Sequence, residues 1–320
     1  MKEIKKIITH SKNFHTDEVV AVALASICFP RAEIIRTRNE KDLQIYNEDS
    51  SCLVIDVGCN YNPQLSNFDT HQTGFSKARE NKIKFASIGI FWEVYGSEVI
   101  KTIVQERNLR MSQQELGEIA DILDGGFIVS LDAADSFQIE NFFVPLRVEE
   151  RLDIWSVTLF SIINDFRPLY ILGEEHFDEK FHEVLQIVKP ILRRKMIKYV
   201  DTYLARGEAR KVLQEAERYG EKTLLISKRI QWSLVVEEFP EIEFLIDFGN
   251  SEGVYSITAL RDTTGNFRNG HGLLPSKRHL EDIELQQEDG FKNLCFVHKD
   301  GFMAKTLDLA TALFVVQESI

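Results

Sequence analysis

The chain has 320 residues, 44% of them hydrophobic and 10% aromatic, which is enough for a large core and, at roughly 150 residues per domain, for two domains. Its formal net charge of -12 argues against a broad electrostatic surface for a nucleic-acid duplex, but not against a short strand or a nucleotide held by metal ions. No apolar run approaches the ~18 residues of a membrane helix, and the first residues lead into a predicted strand rather than a signal peptide. We therefore expect a cytoplasmic protein without a membrane partner.

The amino-terminal part of the chain alternates segments of strand and helix type. A buried helix is predicted at residues 17–29, ending before Pro30, and strands are predicted at residues 4–8, 32–37 and 52–57. The continuous apolar run Leu53-Val54-Ile55 is typical of parallel sheets covered on both faces. The order of these elements predicts an α/β fold with a mostly parallel sheet.

The middle of the chain is predicted to be helical. The pattern has a helical period over residues 85–135 and 151–163. Residues 177–220 form a long charged segment with the same period, in which Pro190 predicts a kink and Gly220 a stop. We interpret residues 171–220 as a connector between two domains.

The carboxy-terminal part is predicted to be a second, smaller mixed α/β domain. Strands are predicted at residues 222–227, 242–247, 254–260 and 293–298, followed by a final helix. The resulting division has a metal-binding catalytic domain at residues 1–170, the helical connector, and a substrate-binding domain at residues 221–320 that closes over a cleft.

The four cysteines show no C-x-x-C spacing, so they indicate neither a zinc ribbon nor a redox dithiol. We expect them to be reduced and mostly buried.

The first of four chemically distinctive segments follows the first predicted strand. It places His10, His15 and Asp17 within eight residues, directly before the buried helix. Ligands on the loop after a strand converge in the crevice where open α/β sheets bind ligands, so these three residues are candidate metal ligands. Glu18 lies beside them, and we expect it to cap the helix instead, as acidic residues in a first turn commonly do.

Three further segments carry carboxylates and an imidazole. Asp56 ends the third strand, Asp69 and His71 lie in a loop, and two carboxylates three residues apart, Asp132 and Asp135, share one helix face. Histidine mixed with carboxylates suits Mn²⁺, Fe²⁺ or Mg²⁺ better than structural zinc. Asp56 is placed to bridge two ions ~3.5 to 4 Å apart, the arrangement used in phosphoester hydrolysis.

The ordered set of motifs resembles the melanocyte proliferating gene family, a divergent branch of the DHH phosphoesterases, which include nucleases, pyrophosphatases and oligoribonucleases. The motifs read T-H-x3-F-H-x-D-E, V-I-D-V-G, F-D-x-H-Q and L-D-A-x-D, and the segments 226–228 and 295–302 also match the family pattern. The resemblance covers most of the chain and implies a first domain of DHH-phosphoesterase type.

The resemblance also implies roles for individual residues. His10 and Asp17 fall where relatives supply metal ligands, and His15 takes the place of a carboxylate ligand. Asp56 matches the bridging aspartate. Either Asp132 or Asp135 matches the aspartate that closes the second metal site, and Asp132 is favoured. Asp69 binds a metal or orients a histidine, and both roles stay open.

One position departs from the family pattern. Where relatives read Asp-His-His-Gln, this chain reads Asp69-Thr70-His71-Gln72, so Thr70 removes one imidazole from the second site. Three outcomes are open: a carboxylate-rich site that prefers Mg²⁺, a shifted loop in which His71 is the ligand, or a one-metal or inactive protein.

The second domain offers weaker candidates for substrate contact. Arg268 and His271 lie in a glycine-rich loop similar to substrate loops of the superfamily, and His298 ends a strand. A glycine loop beside strands is also commonly a plain turn. The basic residues 193–195 and Lys198 line either a phosphate-binding face or a solvated helix face.

These observations predict a metal-dependent phosphodiester hydrolase, and the resemblance implies exonuclease action on RNA, best described as 3'-5' cleavage of single-stranded RNA or short oligonucleotides. We expect two divalent ions, Mn²⁺ before Mg²⁺, with His71 and Asp69 contacting the phosphate or moving its proton. The alternatives are a phosphatase or pyrophosphatase for a small phosphorylated substrate, and a catalytically impaired metal- or nucleotide-binding protein, for which Thr70 is the reason. Whether two copies form a homodimer is left open.

Overall fold

The computed structural model describes residues 3–138, 158–168, 176–248, 253–277 and 282–320. The chain divides into two compact units, Met1–Val200 and Asp201–Ile320. None of the helices in the described ranges combines the length and the apolar character that a membrane span requires.

The first unit contains a five-stranded sheet. Its strands are β1 (Lys6–Thr9), β2 (Glu33–Arg36), β3 (Cys52–Ile55), β4 (Tyr61–Asn62) and β5 (Asn67–Phe68), in the order β2-β1-β3-β5-β4. β1 runs parallel to β2 and β3, β5 runs parallel to β3, and only the short β4 is antiparallel to its neighbour. The predicted α/β class and mostly parallel sheet are therefore confirmed.

Helices pack against this sheet. They are α1 (Thr16–Cys28), α2 (Glu40–Glu48), α3 (Ser87–Glu106), α4 (Gln113–Leu123), α5 (Val129–Asp135) and α6 (Leu159–Asp165), with a π-helical turn at Asp124–Ile128. Every residue of α1 is buried, and the helix contacts α3, α5 and α6, which explains why its sequence is apolar on all sides. α2 covers Ile8 and Val54 through Leu43. Helices α1 and α2 thus cover the first strands, as expected for strands that are continuously apolar.

The second unit contains a six-stranded mixed sheet. Helix α7 (Phe177–Glu215) leads into β6 (Glu217–Tyr219), β7 (Thr223–Ile226), β8 (Phe244–Asp247), β9 (Tyr255–Ala259), α8 (Asp282–Leu285), β10 (Leu294–Val297), β11 (Met303–Thr306) and α9 (Leu309–Gln317). The strand order is β10-β11-β9-β8-β7-β6, with β7 and β8 parallel and the other pairs antiparallel. The predicted mixed α/β character of this part of the chain is confirmed.

Several local predictions need correction. Gly220 does not end the long helix: α7 ends at Glu215, and Gly220, with φ +66, forms the turn between β6 and β7. Pro190 lies inside α7, and the kink predicted there stays a prediction. Of the helix predicted at 151–163, residues 151–157 lie outside the described residues. All four cysteines are free, but Cys59 and Cys295 are exposed rather than buried.

Candidate metal centre

The predicted site residues of the first unit collect at one edge of the five-stranded sheet. His10 follows β1, Asp56 follows β3 and Asp69 follows β5, and these strands are parallel neighbours. Parallel strands bring the residues after their carboxyl ends to the same edge, where open α/β sheets bind ligands. All three side chains are buried, so the edge holds a polar interior.

A first group consists of His10, His15, Glu18 and Asp56, with one ligand atom from each lying within 4.8 Å of the others. His10 Nε2 contacts Glu18 Oε2 and lies 3.3 Å from Asp56 Oδ2. His15 Nδ1 lies 3.7 Å from the same Asp56 oxygen. Glu18 has no exposed surface and faces both histidines, so its predicted role as a helix cap is wrong.

A second group joins His15, Asp17 and Asp135. His15 Nδ1 lies 3.9 Å from Asp135 Oδ1. Asp17 belongs to α1, and its buried side chain faces the first turn of α3. There its two oxygens accept hydrogen bonds from the amides of Ser87 (3.2 Å) and Ile88 (2.7 Å). The positive end of the α3 dipole thus stabilises the carboxylate.

Asp69 and His71 form a pair beside Asp56. His71 Nδ1 lies 2.6 Å from Asp69 Oδ1 and 3.7 Å from Asp56 Oδ1, and the Cys59 amide donates to Asp69 Oδ2 over 2.7 Å. The His71 side chain is 63% exposed, so its other edge faces solvent. Asp69 and His71 are therefore paired, and their ligand atoms also lie within 4.8 Å of an Asp56 oxygen, so both roles stay open for Asp69.

The backbone at Asp56 is in the left-handed region, with φ +57. Aspartate adopts this conformation more readily than most residues, and such conformations concentrate at functional sites. Ser87 Oγ donates to Asp56 Oδ1 over 3.0 Å, leaving Oδ2 toward the histidines. The sharp turn after β3 thus presents a carboxylate whose two oxygens have different partners.

Asp132, which the sequence favoured as a metal ligand, is used elsewhere. Its fully buried carboxylate accepts hydrogen bonds from Arg79 Nε (2.6 Å) and the Ala86 amide (3.0 Å), and Arg79 also pairs with Asp124. Asp135, one helical turn later, is the aspartate that reaches His15. The structure therefore favours Asp135 as the candidate ligand.

Arg36, which the sequence analysis did not single out, supports the cluster from the end of β2. Its Nη2 lies 3.6 Å from Glu18 Oε1 and donates to the Lys12 carbonyl over 2.8 Å. Nη1 donates to Asp178 Oδ1 over 2.5 Å, and the guanidinium lies 4.2 Å from the ring centre of Phe181. Its place at the carboxyl end of a parallel strand was the available sequence signal.

Burial and mutual charge displace several pKa values in the cluster. Burial lowers the pKa of His10, but the adjacent carboxylates of Asp56 and Glu18 outweigh it and raise the pKa from 6.5 to about 9. Burial raises the pKa of Glu18 from 4.5 to about 7 and that of Asp135 from 3.8 to about 6. For His71, the hydrogen bond to Asp69 raises the pKa to about 9. In the absence of a metal ion, the raised pKa values favour bound protons, which offset the negative charge of the carboxylates. A bound cation would offset the same charge.

Several buried ligand atoms in the cluster lie against one another without forming hydrogen bonds. Within the described part of the chain, no hydrogen bond of normal geometry reaches His10 Nε2, His15 Nδ1, Asp56 Oδ2 or either oxygen of Glu18. Buried polar atoms are rarely left unpaired, because the loss of hydration is unfavourable by ~1 to 3 kcal/mol each. Converging unpaired nitrogen and carboxylate oxygen atoms fit a divalent cation, and the donor set suits Mn²⁺ or Mg²⁺.

The candidates in the second unit have structural partners. Arg268 is tied to the backbone, donating from Nη1 to the carbonyls of Phe239 (2.8 Å) and Ile242 (2.9 Å), and its side chain is 7% exposed. It holds a loop in place, and the prediction that it contacts substrate is corrected. His271 Nδ1 lies 3.1 Å from the Gly272 carbonyl, and the ring of His298 packs 4.1 Å from that of Phe302. Substrate contact by these two histidines stays a prediction.

The basic segment of α7 is also partly engaged. Arg193 Nη1 donates to Glu106 Oε1 over 2.8 Å, and Lys195 lies 4.5 Å from the centre of the Phe127 ring. Both contacts support a helix surface with structural partners rather than a free phosphate-binding strip.

An α/β unit with histidines and buried carboxylates at the carboxyl edge of its parallel sheet belongs to the class of candidate metalloproteins. The chain is a member of the MYG1_exonuc family, described as "Uncharacterised protein family (UPF0160)", whose sequence profile matches residues 6–320. This confirms the resemblance noted from the motifs.

Individual relatives extend over nearly the whole chain. The MYG1 protein YER156C of Saccharomyces cerevisiae is 27% identical over 321 residues, covering 94% of this chain and 91% of the yeast protein. The MYG1 exonuclease of Homo sapiens is 24% identical over 323 residues, covering 93% and 81%. Among solved structures, the pGpG-specific phosphodiesterase PggH of Vibrio cholerae aligns over 99% of this chain and 98% of its own with 12% identity. Its TM-score of 0.26 is too low to establish a shared fold.

Proposed function

We propose that this protein is a metal-dependent phosphodiester hydrolase of DHH type that acts as a 3'-5' exonuclease on RNA or short oligonucleotides. The observation that carries the proposal is the convergence of unpaired buried atoms from His10, His15, Glu18 and Asp56. The exonuclease named among the relatives supports the reaction class. The acidic net charge of -12 favours a short single strand over a duplex.

Two adjacent groups of residues would hold divalent ions. His10, His15, Glu18 and Asp56 form one, and His15, Asp17 and Asp135 form the other, so His15 belongs to both. Ions bound there would supply Lewis acidity and an activated water for attack on phosphorus. The second group contains two carboxylates and one imidazole, which supports the carboxylate-rich site among the three outcomes left open at Thr70.

His71 is the residue best placed to act on the substrate directly. Asp69 engages Nδ1, so Nε2 lies on the exposed edge of the ring and can donate to a phosphate oxygen. Because the hydrogen bond with Asp69 raises its pKa to about 9, His71 is cationic at neutral pH. It therefore stabilises negative charge on the phosphate and can give its proton to the leaving oxygen.

Hydrolysis of a short RNA labelled at the 5' end tests this proposal. Metal-free protein is titrated with Mn²⁺ or Mg²⁺, and pyrophosphate is offered as a competing substrate class. With Mn²⁺, we expect a ladder of 5'-labelled chains shortened one nucleotide at a time from the 3' end. Asp56→Asn should lower the rate by about 100-fold or more, because even residues that only support a metal ligand lower activity about 10- to 100-fold when mutated.

Asp121→Asn is the matched control, since Asp121 is an exposed residue of α4 outside the cluster. The proposal fails if Asp56→Asn hydrolyses RNA at the wild-type rate. Hydrolysis of pyrophosphate but not RNA would replace the nuclease with a small-molecule phosphatase.

A further inference from the structure

A pocket of about 440 Å³ lies between helix α2 and the loop that follows β3. Its walls are formed by Leu43, Gln44 and Asn47 of α2, by residues 57–59 after β3, and by Arg38 after β2. A volume of this size is typical of sites for small organic molecules. None of the lining residues belongs to the candidate metal centre, so the pocket is an additional feature of this unit.

The pocket shares its loops with the metal centre. The loop after β3 begins directly after Asp56, and its Cys59 amide donates to Asp69 Oδ2 over 2.7 Å. Arg38 Nε donates over 3.1 Å to the carbonyl of Ser11, in the loop after β1. The wall of the pocket and the metal centre are therefore connected through these two loops.

Asn47 gives the pocket wall an unused hydrogen-bond acceptor. Its Nδ2 donates to the Gly58 carbonyl over 3.2 Å, which fixes the amide plane. No donor within the described residues reaches the buried Oδ1. An unpaired buried acceptor is unfavourable, so a ligand that brings an N–H group to Asn47 would remove this cost.

The other walls define the shape and polarity of a fitting ligand. Leu43 and Val57 supply apolar surface, and Gln44 supplies an amide. Arg38 is the single cation of the lining and lies there with Glu40, so the pocket has no excess positive charge for a phosphate. A flat heterocycle with polar edges matches this lining better than a phosphate or an alkyl chain.

We propose that this pocket receives the base of the nucleotide next to the cleaved phosphodiester, an inference that rests on the proposed function. The Asn47 acceptor can take a hydrogen bond from a ring or exocyclic N–H group of the base. The pocket thus binds the base, while the metal centre supplies hydrolysis.

Gln44→Trp tests the proposal by filling the pocket from the exposed side of α2. Ile45→Trp is the matched control, since it adds an indole to the same helix at a side chain that is 65% exposed and outside the pocket. Three substrates are compared with Mn²⁺ present: 5'-phosphorylated diadenylate, 5'-phosphorylated diuridylate, and bis(p-nitrophenyl) phosphate, which has no base.

We expect Gln44→Trp to raise KM for diadenylate by about tenfold or more and to leave hydrolysis of bis(p-nitrophenyl) phosphate unchanged. Ile45→Trp should alter neither. Diuridylate should show the same rise in Gln44→Trp, because its base enters the same pocket. An unchanged KM in Gln44→Trp, or an equal rise for the substrate without a base, overturns the proposal.

Binding of AMP, measured by calorimetry, separates the pocket from the reaction. If the wild-type protein hydrolyses none of the three substrates, the proposed function fails. AMP affinity that is reduced in Gln44→Trp and retained in Ile45→Trp still supports the pocket. Absent binding, or equal binding in all three proteins, overturns it.

Discussion

The two oxygens of Glu18 face different partners: Arg36 Nη2 lies 3.6 Å from Oε1, while Oε2 contacts His10 Nε2. Arg36 is itself fixed by the Lys12 carbonyl and by Asp178. The carboxylate is therefore held on one side by a guanidinium, with its other oxygen directed at the imidazole. This is the arrangement by which a residue outside a metal's ligand shell orients a ligand.

Arg36→Ala should therefore weaken Mn²⁺ binding by about 10-fold or more, because Glu18 loses the group that orients it. Arg36→Lys should recover part of the affinity, since an ammonium keeps the charge but not the planar geometry. Competition with a fluorescent metal indicator measures the affinity. Arg31→Ala, at an exposed position, is the control. Equal affinity in Arg36→Ala and Arg31→Ala would contradict the role given to Arg36.

Stability of the metal-free protein should fall as the pH rises from 7 to 9. The pKa of His10 is about 9 in the folded protein, above its usual 6.5. The folded state thus binds this proton more tightly, and the stability it contributes is present below pH 6.5 and lost through pH 9. Thermal unfolding in the presence of a chelator measures the trend. His10→Gln should flatten the slope, and a wild-type midpoint that is constant over this range would refute the assignment.

Binding of Mn²⁺ should release protons and strengthen as the pH rises. His10 must lose its proton to act as a ligand, and its pKa of about 9 means that it carries that proton at neutral pH. Calorimetry in two buffers of different ionisation enthalpy counts the protons released. If no protons are released at pH 7.5, His10 keeps its proton when Mn²⁺ binds and is not a ligand.

Asp135→Asn should affect metal affinity, whereas Asp132→Asn should affect stability. Asp135→Asn should reduce metal affinity with little loss of stability, because Asp135 lies beside His15 with no ion pair to Arg79 among its described contacts. Asp132→Asn should reduce the free energy of unfolding by about 2 kcal/mol, because it weakens a buried charge-assisted pair. Urea unfolding and metal titration of both variants check this. The reverse pattern would restore Asp132 as the ligand.

Gly89→Ala should destabilise the protein by about 1 to 3 kcal/mol. A Cβ at Gly89 would lie 2.4 Å from the Asp132 carboxylate, which is fixed by Arg79 and the Ala86 amide. Gly117→Ala is a matched helical control, because nothing lies within 4 Å of its added Cβ. There the substitution should be neutral or stabilising by about 0.5 to 1 kcal/mol. Chemical denaturation compares the two, and equal stabilities would contradict the packing at Gly89.

Much of the sheet was predictable because its strands are continuously apolar. β1, β3 and the fully buried α1 follow directly from that signal. α2 did not, because only Leu43 is buried in a helix of nine residues, which leaves no visible period. Its Asn39 cap, which accepts hydrogen bonds from the amides of Lys41 and Asp42, was the remaining signal.

The types of residue in the site were predictable, but not all of their partners. An acidic residue in a first helical turn is ordinarily a cap, and only the path of the preceding loop turns Glu18 toward His10. Asp132 and Asp135 share a helix face, and a π-helical turn at Asp124–Ile128 precedes that helix and changes its phase. Sequence spacing carries no information about that turn. The spacing alone therefore could not show whether Asp132 or Asp135 reaches His15.

Asp17 has one further consequence, since both of its oxygens accept hydrogen bonds from the first turn of α3. A cation that draws this carboxylate away would expose the Ser87 and Ile88 amides to exchange with solvent deuterium. A cation that binds without displacing it would slow their exchange by fixing their acceptor. The exchange rates of these two amides therefore report on the occupancy of the centre in solution, without any substrate present.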